Sequence, residues 1–227
     1  MIYKLVGLFK AFGFPVGLYY LIDRILSKIS PDLRLLSYDF VVQPIVPGPL
    51  LPKTFVKKLE IREITKGDPE VERMPVRPDI KQSRFDQNAT CLGAFKKDVA
   101  IAYMWFCFRS YQEDEFRCNF VLMPPEESVF DFDFYVYPEH RLGIAFLGLW
   151  NGANEYLYNK GIKYTFSRIT RTNIASARAH KKLGMKKIGS AVILKIGSIE
   201  VMLSTISPRF HISASEKNRV NILLRPK

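Results

Sequence analysis

The sequence predicts an α+β protein in which a mixed, mostly antiparallel sheet is flanked by helices. Two pairs of apolar, strand-like runs each enclose a short polar or glycine turn, which is typical of antiparallel hairpins. Between these hairpins, one aromatic strand leads into a long amphipathic helix, and a second strand leads into a shorter helix. This order of elements favours one sheet with helices packed on it.

The chain has 227 residues, and its sequence divides into three zones. Residues 1–55 form an N-terminal extension, residues 56–204 the main domain, and residues 205–227 a basic, loosely ordered tail. The extension contains an apolar helix from about Val16 to Ile29, which Pro15 begins. A strand-like run from Arg34 to Ile45 and a proline-rich connector follow. The uncharged stretch Ala11–Ile22 is shorter than the roughly 20 apolar residues of a membrane-spanning helix.

The main domain contains two hairpins, one around Lys96-Lys97 and one through Gly197. Residues 68–79 are interpreted as loop or short helix. The helix that ends at Gly161 has an apolar face that includes Leu149, Trp150 and Leu157. In chain order the predicted strands and long helices are Lys58–Ile64, Cys91–Phe95, Asp98–Phe108, Val129–Tyr137, Ile144–Lys160, Tyr164–Ile169, the helix after Asn173, Ala191–Ile196 and Ser198–Ile206.

Charge and cysteine usage limit the classes of function. The net charge of +12 favours polyanionic partners, although a solvated basic surface is the alternative interpretation. No nucleic-acid motif accompanies the basic residues, so no specific nucleic-acid partner is expected. Of the three cysteines, Cys91, Cys107 and Cys118, the first two lie in apolar strand-like runs, which indicates buried thiols. The odd count, the wide spacing and the lack of a CxxC pair argue against a disulfide framework and a zinc site and favour a reducing cytoplasm. The sequence has no metal-ligand cluster, nucleophile elbow or P-loop.

The most informative motif runs from Asn173 to Met185. Asn173 is a preferred helix cap, Ser176 and His180 recur at helical spacing, and Gly184 ends the helix. Upstream, the run Tyr137-Pro-Glu-His-Arg-Leu-Gly-Ile-Ala145 leads from a strand directly into a helix. Together these segments resemble the cofactor-binding half of the GNAT superfamily of acyl-CoA-dependent N-acyltransferases, over about residues 90–205.

The resemblance implies a bound acetyl-CoA or other acyl-CoA as co-substrate. A pyrophosphate requires backbone N–H donors at the positive end of a helix, which the turn into the long helix supplies. The resemblance also implies that the main chain of Tyr135 and Val136 holds the pantetheine arm, and that Asn173 and Ser176 contact pantetheine or phosphate. Asn173 is explained equally well as a helix cap. The residues expected in the turn are His140, Arg141, Leu142, Gly143, Ile144 and Ala145.

The expected reaction is attack of a primary amine on the thioester. Asp131 and Asp133 alternate along one predicted strand and so share a face, where one carboxylate is a candidate base. Salt-bridged or solvated carboxylates are the alternative. His180 occupies the position at which many members of the superfamily have a tyrosine general acid, and an imidazolium there would protonate the leaving thiolate. His180 is equally consistent with helix packing.

The sequence says least about the identity of the amine acceptor. The aromatic run Tyr103–Tyr111 is interpreted as strand core or the lining of an apolar slot. The acidic run Gln112–Glu115 would attract a cationic amine, but a solvated hairpin tip is favoured. A small-molecule or lipid-like amine is therefore the expected acceptor.

Two further functions remain open besides transfer from acyl-CoA. One is a membrane-associated transferase with a long-chain acyl-carrier-protein donor, docked through the basic surface. The other is a non-catalytic GNAT-fold binding module. The N-terminal helix is interpreted as a peripheral membrane contact at the inner face, a cap on the core or a homodimer interface. The expected location is cytoplasmic.

Overall fold

The computed structural model describes residues 7–10, 12–50, 59–141 and 144–226. The chain divides into two compact units. Unit 1 comprises Met1–Gln43, Gln112–Val121 and Phe166–Lys227, and unit 2 comprises Pro44–Tyr111 and Leu122–Thr165. These boundaries differ from the three sequence zones, because the N-terminal segment belongs to the same unit as the C-terminal strands.

From Phe14 onward, strands and α-helices follow one another along the described residues. In chain order they are α1 Phe14–Ile29, β1 Leu33–Pro44, β2 Glu60–Ile64, α2 Glu70–Arg73, α3 Pro78–Asp86, β3 Thr90–Lys96, β4 Val99–Phe108, β5 Ser110–Gln112, β6 Cys118–Leu122, β7 Ser128–Val136, α4 Ala145–Asn159, β8 Tyr164–Thr170, α5 Ile174–Lys182, β9 Lys186–Ile196, β10 Ile199–Ser204, β11 Phe210–Ser213 and β12 Val220–Leu224. Among the described residues, no helix is long and apolar enough to cross a membrane.

Unit 2 contains four antiparallel strands in the order β7–β4–β3–β2. The predicted hairpin between β3 and β4 is confirmed: Lys97 and Asp98 have φ values of 50° and 64°, as a tight primed turn requires. The predicted apolar face of α4 is also confirmed, because Leu149, Trp150 and Leu157 are buried. Gly161, with φ 77°, follows the helix as predicted.

Unit 1 places its strands in the order β11–β10–β9–β1–β8. The N-terminal strand β1 is therefore interior, and it runs antiparallel to β9 with Tyr38 opposite Ala191. Tyr38 and Phe40 of this strand are buried. The predicted helix of the extension is confirmed as α1, with Pro15 in its first turn. The hairpin through Gly197 is confirmed as well.

The prediction of a loosely ordered C-terminal tail is wrong. Strand β11 pairs with β10, with Phe210 opposite Leu203, and β12 joins a separate three-stranded sheet. Val220, Ile222 and Leu224 alternate along β12 and are buried. This period of two is the ordinary pattern of a half-buried strand, and the surrounding polar residues obscured it.

The prediction of a solvated acidic tip at residues 112–115 is wrong for Glu113. Its carboxylate is buried and receives two hydrogen bonds from Arg168, at 2.7 and 2.8 Å. Glu115 accepts a hydrogen bond from the hydroxyl of Tyr38 at 2.5 Å. Burial of the Glu113 charge is tolerated because the guanidinium of Arg168 meets it with two donors. Cys91, Cys107 and Cys118 are buried free thiols, which confirms the burial predicted for Cys91 and Cys107.

Candidate functional site

The segment between β7 and α4 in unit 2 contains five of the ten predicted cofactor-binding residues, from His140 to Ile144. The backbone N–H of Tyr137 donates to Ile101 at 3.1 Å, and a short 3-10 turn covers Pro138–His140. Helix α4 begins at Ala145, whose side chain is buried. The predicted residues Leu142 and Gly143 lie outside the described residues.

A pocket of about 320 Å³ opens beside this turn. His140, Ile144 and Ala145, which the sequence predicted, line it together with residues that the sequence did not single out. The pocket adjoins the positive end of a 15-residue helix, and Lys96 adds a positive charge, which the carboxylate of Glu139 in the same lining offsets in part. Such a pocket suits an anionic group. Its lining residues are Leu59, Lys96, Ile101, Glu139, His140, Ile144 and Ala145.

Arg141 does not line this pocket; its side chain contacts the last two residues of β7 instead. Its Nε donates to the carbonyl oxygen of Val136 at 3.2 Å. Its guanidinium lies 5.9 Å from the ring centroid of Tyr135. These contacts fix the last residues of the strand that is predicted to hold the pantetheine arm.

Strand β7 contains a bulge at Asp133. Its pairing with β4 shifts between Tyr103 opposite Tyr135 and Trp105 opposite Phe132. Asp133 has a φ of 47°, in the left-handed region that non-glycine residues rarely adopt. Strand alternation does not continue through such a residue. The expectation that Asp131 and Asp133 share one face assumed unbroken alternation, and the bulge makes that assumption wrong.

The two carboxylates have different partners. Asp131 is buried and accepts a hydrogen bond from the hydroxyl of Thr165. Asp133 Oδ2 lies 2.5 Å from Nη1 of Arg84 in α3. The side chain of Arg84 is 8% exposed and that of Asp133 is 26% exposed. Asp133 is thus the carboxylate of the two that a substrate reaches more easily.

Two buried tyrosine hydroxyls lie in unit 2, on β4 and directly after β7. Tyr103 Oη and Tyr137 Oη have no hydrogen-bond partner among the described residues. Burial raises the pKa of both hydroxyls, and the negative charge of Asp133 also raises the pKa of Tyr103. A buried polar atom without a partner costs about 1–3 kcal/mol. A ligand or water that accepts from these hydroxyls would remove that cost.

Cys91 lies in the same environment and is not a candidate nucleophile. Burial raises the pKa of its thiol well above the ordinary value, and the charge of Asp133 adds to this effect. The thiol is therefore protonated at neutral pH, whereas the thiolate is the reactive form.

Unit 1 holds the remaining predicted residues. Asn173 Oδ1 accepts a hydrogen bond from the backbone N–H of Ser176 at 3.1 Å, so Asn173 caps α5 as predicted. Gly184 follows the helix with φ 86°. The capping role is thus confirmed, and the cofactor contacts of Asn173 and Ser176 stay predictions.

His180 is buried in α5, with Nδ1 at 3.3 Å from Gln43 Oε1. Burial lowers the pKa of the imidazole to about 4. The ring is consequently neutral at pH 7 and a poor proton donor. This environment favours the packing role over the general-acid role, the two interpretations that the sequence left open.

The sequence analysis gave no site role to four residues of this region: Lys96, Glu139, Arg84 and Tyr137. Tyr103 was named only as part of a run of strand core or slot lining. Lys96 was visible only as half of a hairpin turn. Arg84 is 49 residues from Asp133, and no periodicity connects them. Among the described residues, no group of three His, Cys, Asp or Glu side chains could hold a metal ion.

Comparison with known proteins identifies the fold. No protein-family model matches the chain. No curated protein matches it either. Among solved structures, the chain is similar to a tandem GNAT protein from the clavulanic acid biosynthesis pathway, with a TM-score of 0.51 and 13% identity. The match covers 71% of this chain and 53% of that one, so the chain spans about half the length of this relative.

Two further solved structures resemble the chain less closely. A GNAT-family acetyltransferase from Novosphingobium aromaticivorans has a TM-score of 0.47 and 14% identity, with 72% of this chain and 66% of that chain covered. An aminoglycoside N-acetyltransferase in complex with a bisubstrate analogue has a TM-score of 0.43 and 21% identity, with 56% and 89% covered. The chain has the GNAT fold, and the predicted fold class is confirmed.

Proposed function

We propose that this protein is a GNAT-type N-acyltransferase that moves an acetyl or other acyl group from CoA to a primary amine. The observation that carries the proposal is the pocket at the junction of β7 and α4. Lys96, His140 and the first turn of α4 converge there. The likeness in fold to a GNAT protein supports this class of reaction only by analogy, because one fold hosts many functions.

The residues present fit a pyrophosphate. The free backbone N–H groups of the first turn of α4 face anions favourably, and Lys96 adds a cation. Ala145 has a small side chain at the point where the helix begins, which leaves room for a close approach of phosphate to backbone. The bulge at Asp133 interrupts regular pairing, so main-chain groups near Tyr135 are candidates to bind the amides of the pantetheine arm.

Asp133 is the proposed base. The amine nitrogen attacks the thioester carbonyl carbon, and the carboxylate of Asp133 accepts the proton that the nitrogen loses. When the carbon–sulfur bond breaks, this proton neutralises the departing thiolate, so that the products are an amide and free CoA. Arg84 positions the carboxylate through the ion pair. The hydroxyls of Tyr103 and Tyr137 are proposed hydrogen-bond donors to the acceptor or the acyl group.

The proposal is tested by release of free thiol from acetyl-CoA in the presence of a panel of primary amines. We expect turnover with at least one amine class, and a loss of about 100-fold or more in kcat for Asp133→Asn. Thiol release without an amide product, or equal turnover by the variant, would contradict the assigned chemistry. The same assay with long-chain acyl-CoA measures the acyl preference.

The other functions considered from the sequence stay predictions. A carrier-protein donor predicts transfer from an acylated carrier protein and little transfer from CoA. A non-catalytic binding module predicts ligand binding without thiol release from either donor. The homodimer and the cytoplasmic location are likewise untested predictions.

A further inference from the structure

Helix α1 presents an apolar stripe to solvent. Four large apolar side chains of this helix are strongly exposed: Phe14 69%, Leu18 39%, Ile25 60% and Ile29 69%. Their spacing of i, i+4, i+11 and i+15 places them on one side of a helix with 3.6 residues per turn. A contiguous exposed apolar stripe of this kind marks a contact surface rather than scattered apolar exposure.

The opposite side of α1 faces unit 1 with polar and aromatic groups. Asp23 accepts hydrogen bonds from the backbone N–H of Leu35 at 2.9 Å and from Nε of Arg34 at 2.8 Å. Tyr19 and Tyr20 line a small pocket of about 170 Å³ along β1. The apolar side of an ordinary surface helix faces the core, whereas the four exposed side chains of α1 point away from it. Covering the core therefore does not explain the apolar stripe.

Positive charge is concentrated in the unit to which α1 belongs. Unit 1 contains 19 lysines and arginines against 8 aspartates and glutamates, a formal excess of 11 out of the chain's net +12. Unit 2 contains 15 against 14. On α1 itself, Arg24 and Lys28 are exposed beside the apolar stripe.

A basic cluster adjoins α1. The guanidinium of Arg171 lies 5.9 Å from the ring centroid of Tyr19, and its Nε bonds to Asp39 at 2.9 Å. Lys187 shares Asp39 at 2.7 Å. Because Tyr19 lies on the side of α1 opposite to the apolar stripe, this cluster adjoins the helix but does not border the stripe. Helix α5 and the start of β9 carry further exposed cations. Four of them have no ion-pair partner among the described residues: Arg178, Lys181, Lys182 and Lys186.

We propose that α1 lies in the interface of an anionic lipid bilayer, with its apolar stripe inserted, Arg24 and Lys28 against the headgroups, and the net positive charge of unit 1 attracting the protein to the surface. An apolar stripe bordered by lysine and arginine is the pattern that binds such surfaces. A second copy of the chain would cover the stripe as well, but a two-fold interface would bring two strongly positive units together. A nucleic acid would meet the cations and leave the apolar stripe exposed.

Co-sedimentation with vesicles tests this inference without any acyl donor, so its failure would be independent of the proposed function. The probes are vesicles of phosphatidylcholine alone and of phosphatidylcholine mixed with phosphatidylglycerol. We expect binding to the mixed vesicles, with affinity at least about tenfold lower for the Ile25→Ser/Ile29→Ser variant. Arg24→Gln/Lys28→Gln should weaken binding several-fold and make the remaining binding less sensitive to salt.

The matched control is Leu203→Ser/Phe210→Ser, because these side chains are equally exposed, at 59% and 56%, but lie on β10 and β11 of the same unit. The control should bind vesicles like the wild type. All three variants change exposed residues, and circular dichroism verifies that each is folded. The inference would be overturned by equal binding to neutral vesicles or by loss of binding in the control but not in Ile25→Ser/Ile29→Ser. It would also be overturned by a dimer that Ile25→Ser/Ile29→Ser dissociates without any vesicle binding.

Discussion

Asp133 in the bulge of β7 and Arg84 in α3 form an ion pair with 2.5 Å between Oδ2 and Nη1. The guanidinium also lies 5.2 Å from the ring centroid of Phe132 and 5.6 Å from that of Trp105. A carboxylate on a left-handed strand residue is thus held by a nearly buried cation between aromatic rings. The pair links the short helices that follow β2 to the strand on which the proposed chemistry takes place.

Replacement of Arg84 should destabilise the protein. Arg84→Ala leaves Asp133 without its cation in a partly buried site, and we expect a loss of about 2 kcal/mol in the free energy of unfolding. The measurement is urea denaturation. Arg77→Ala is the matched control, since Arg77 directly precedes α3 and pairs with Asp79 in that helix, but both side chains are mostly exposed. The control should have no measurable effect; equal losses in the two variants would contradict the assigned burial.

The two aspartates of β7 should differ in their effect on turnover. Asp133→Asn should lower kcat about 100-fold with little change in acetyl-CoA binding, because it removes the proposed base. Asp131→Asn keeps a hydrogen-bond acceptor for Thr165 and should lower kcat much less. Steady-state kinetics with calorimetric Kd values separate the two effects. A larger kcat loss for Asp131→Asn would move the base to that residue.

His180 should make stability depend on pH below 6.5. The folded-state pKa of about 4 lies below the ordinary value of 6.5, so the unfolded chain binds the proton first as pH falls. The stability that this neutral imidazole contributes is fully present above pH 6.5. About 3 kcal/mol of it is lost as pH falls toward 4.

The comparison with His180→Gln isolates this effect from the titration of carboxylates. The free energy of unfolding of the wild type should fall more steeply than that of the variant between pH 6.5 and 4. Parallel pH dependences would show that the imidazole is not buried and neutral. The same variant should keep most of its activity at pH 7.5, whereas a general acid at this position predicts a large loss of kcat.

Asn173 can be tested as a cap and as a cofactor contact separately. Asn173→Ala should cost about 1 kcal/mol in the free energy of unfolding, since the N–H of Ser176 loses its acceptor. Asn173→Asp keeps the cap and should leave stability nearly unchanged. If Asn173 also contacts a phosphate, the added negative charge should weaken acetyl-CoA binding about tenfold. Unchanged binding in the aspartate variant would limit Asn173 to the cap.

Local signals in the sequence predicted most elements. Asn173 and Gly184 enclose α5, Gly197 marks the second hairpin, and Gly161 follows α4, because each depends on backbone conformation a few residues away. The interior position of β1 was not predictable in this way, since its pairing with β9 joins residues about 150 positions apart in the register. Residues 210–213 and 220–224 were missed because polar neighbours outweighed a short alternating pattern.

The site was predicted less completely than the fold. His140, Ile144 and Ala145 line the pocket beside the turn that the sequence pointed to, because the strand-to-helix junction is a local feature. The prediction that Asp131 and Asp133 share one face was wrong because an alternating sequence does not reveal a bulge. The burial of His180 and of Glu113 depends on partners far along the chain, Gln43 and Arg168. These tertiary partners determine protonation and charge at each position.

Calorimetric titration of acetyl-CoA into the protein tests the central claim most directly. The wild type should bind. Gly143→Glu should lower the affinity at least about tenfold, because the added carboxylate repels the pyrophosphate. Gly67→Glu is the control and should bind like the wild type, because a side chain at Gly67 meets no other atoms. Lys96→Ala should weaken binding a few-fold and its neighbour Lys97→Ala should not. Failure of the wild type to bind acetyl-CoA, or undiminished affinity in Gly143→Glu, would contradict a pyrophosphate site at the start of α4.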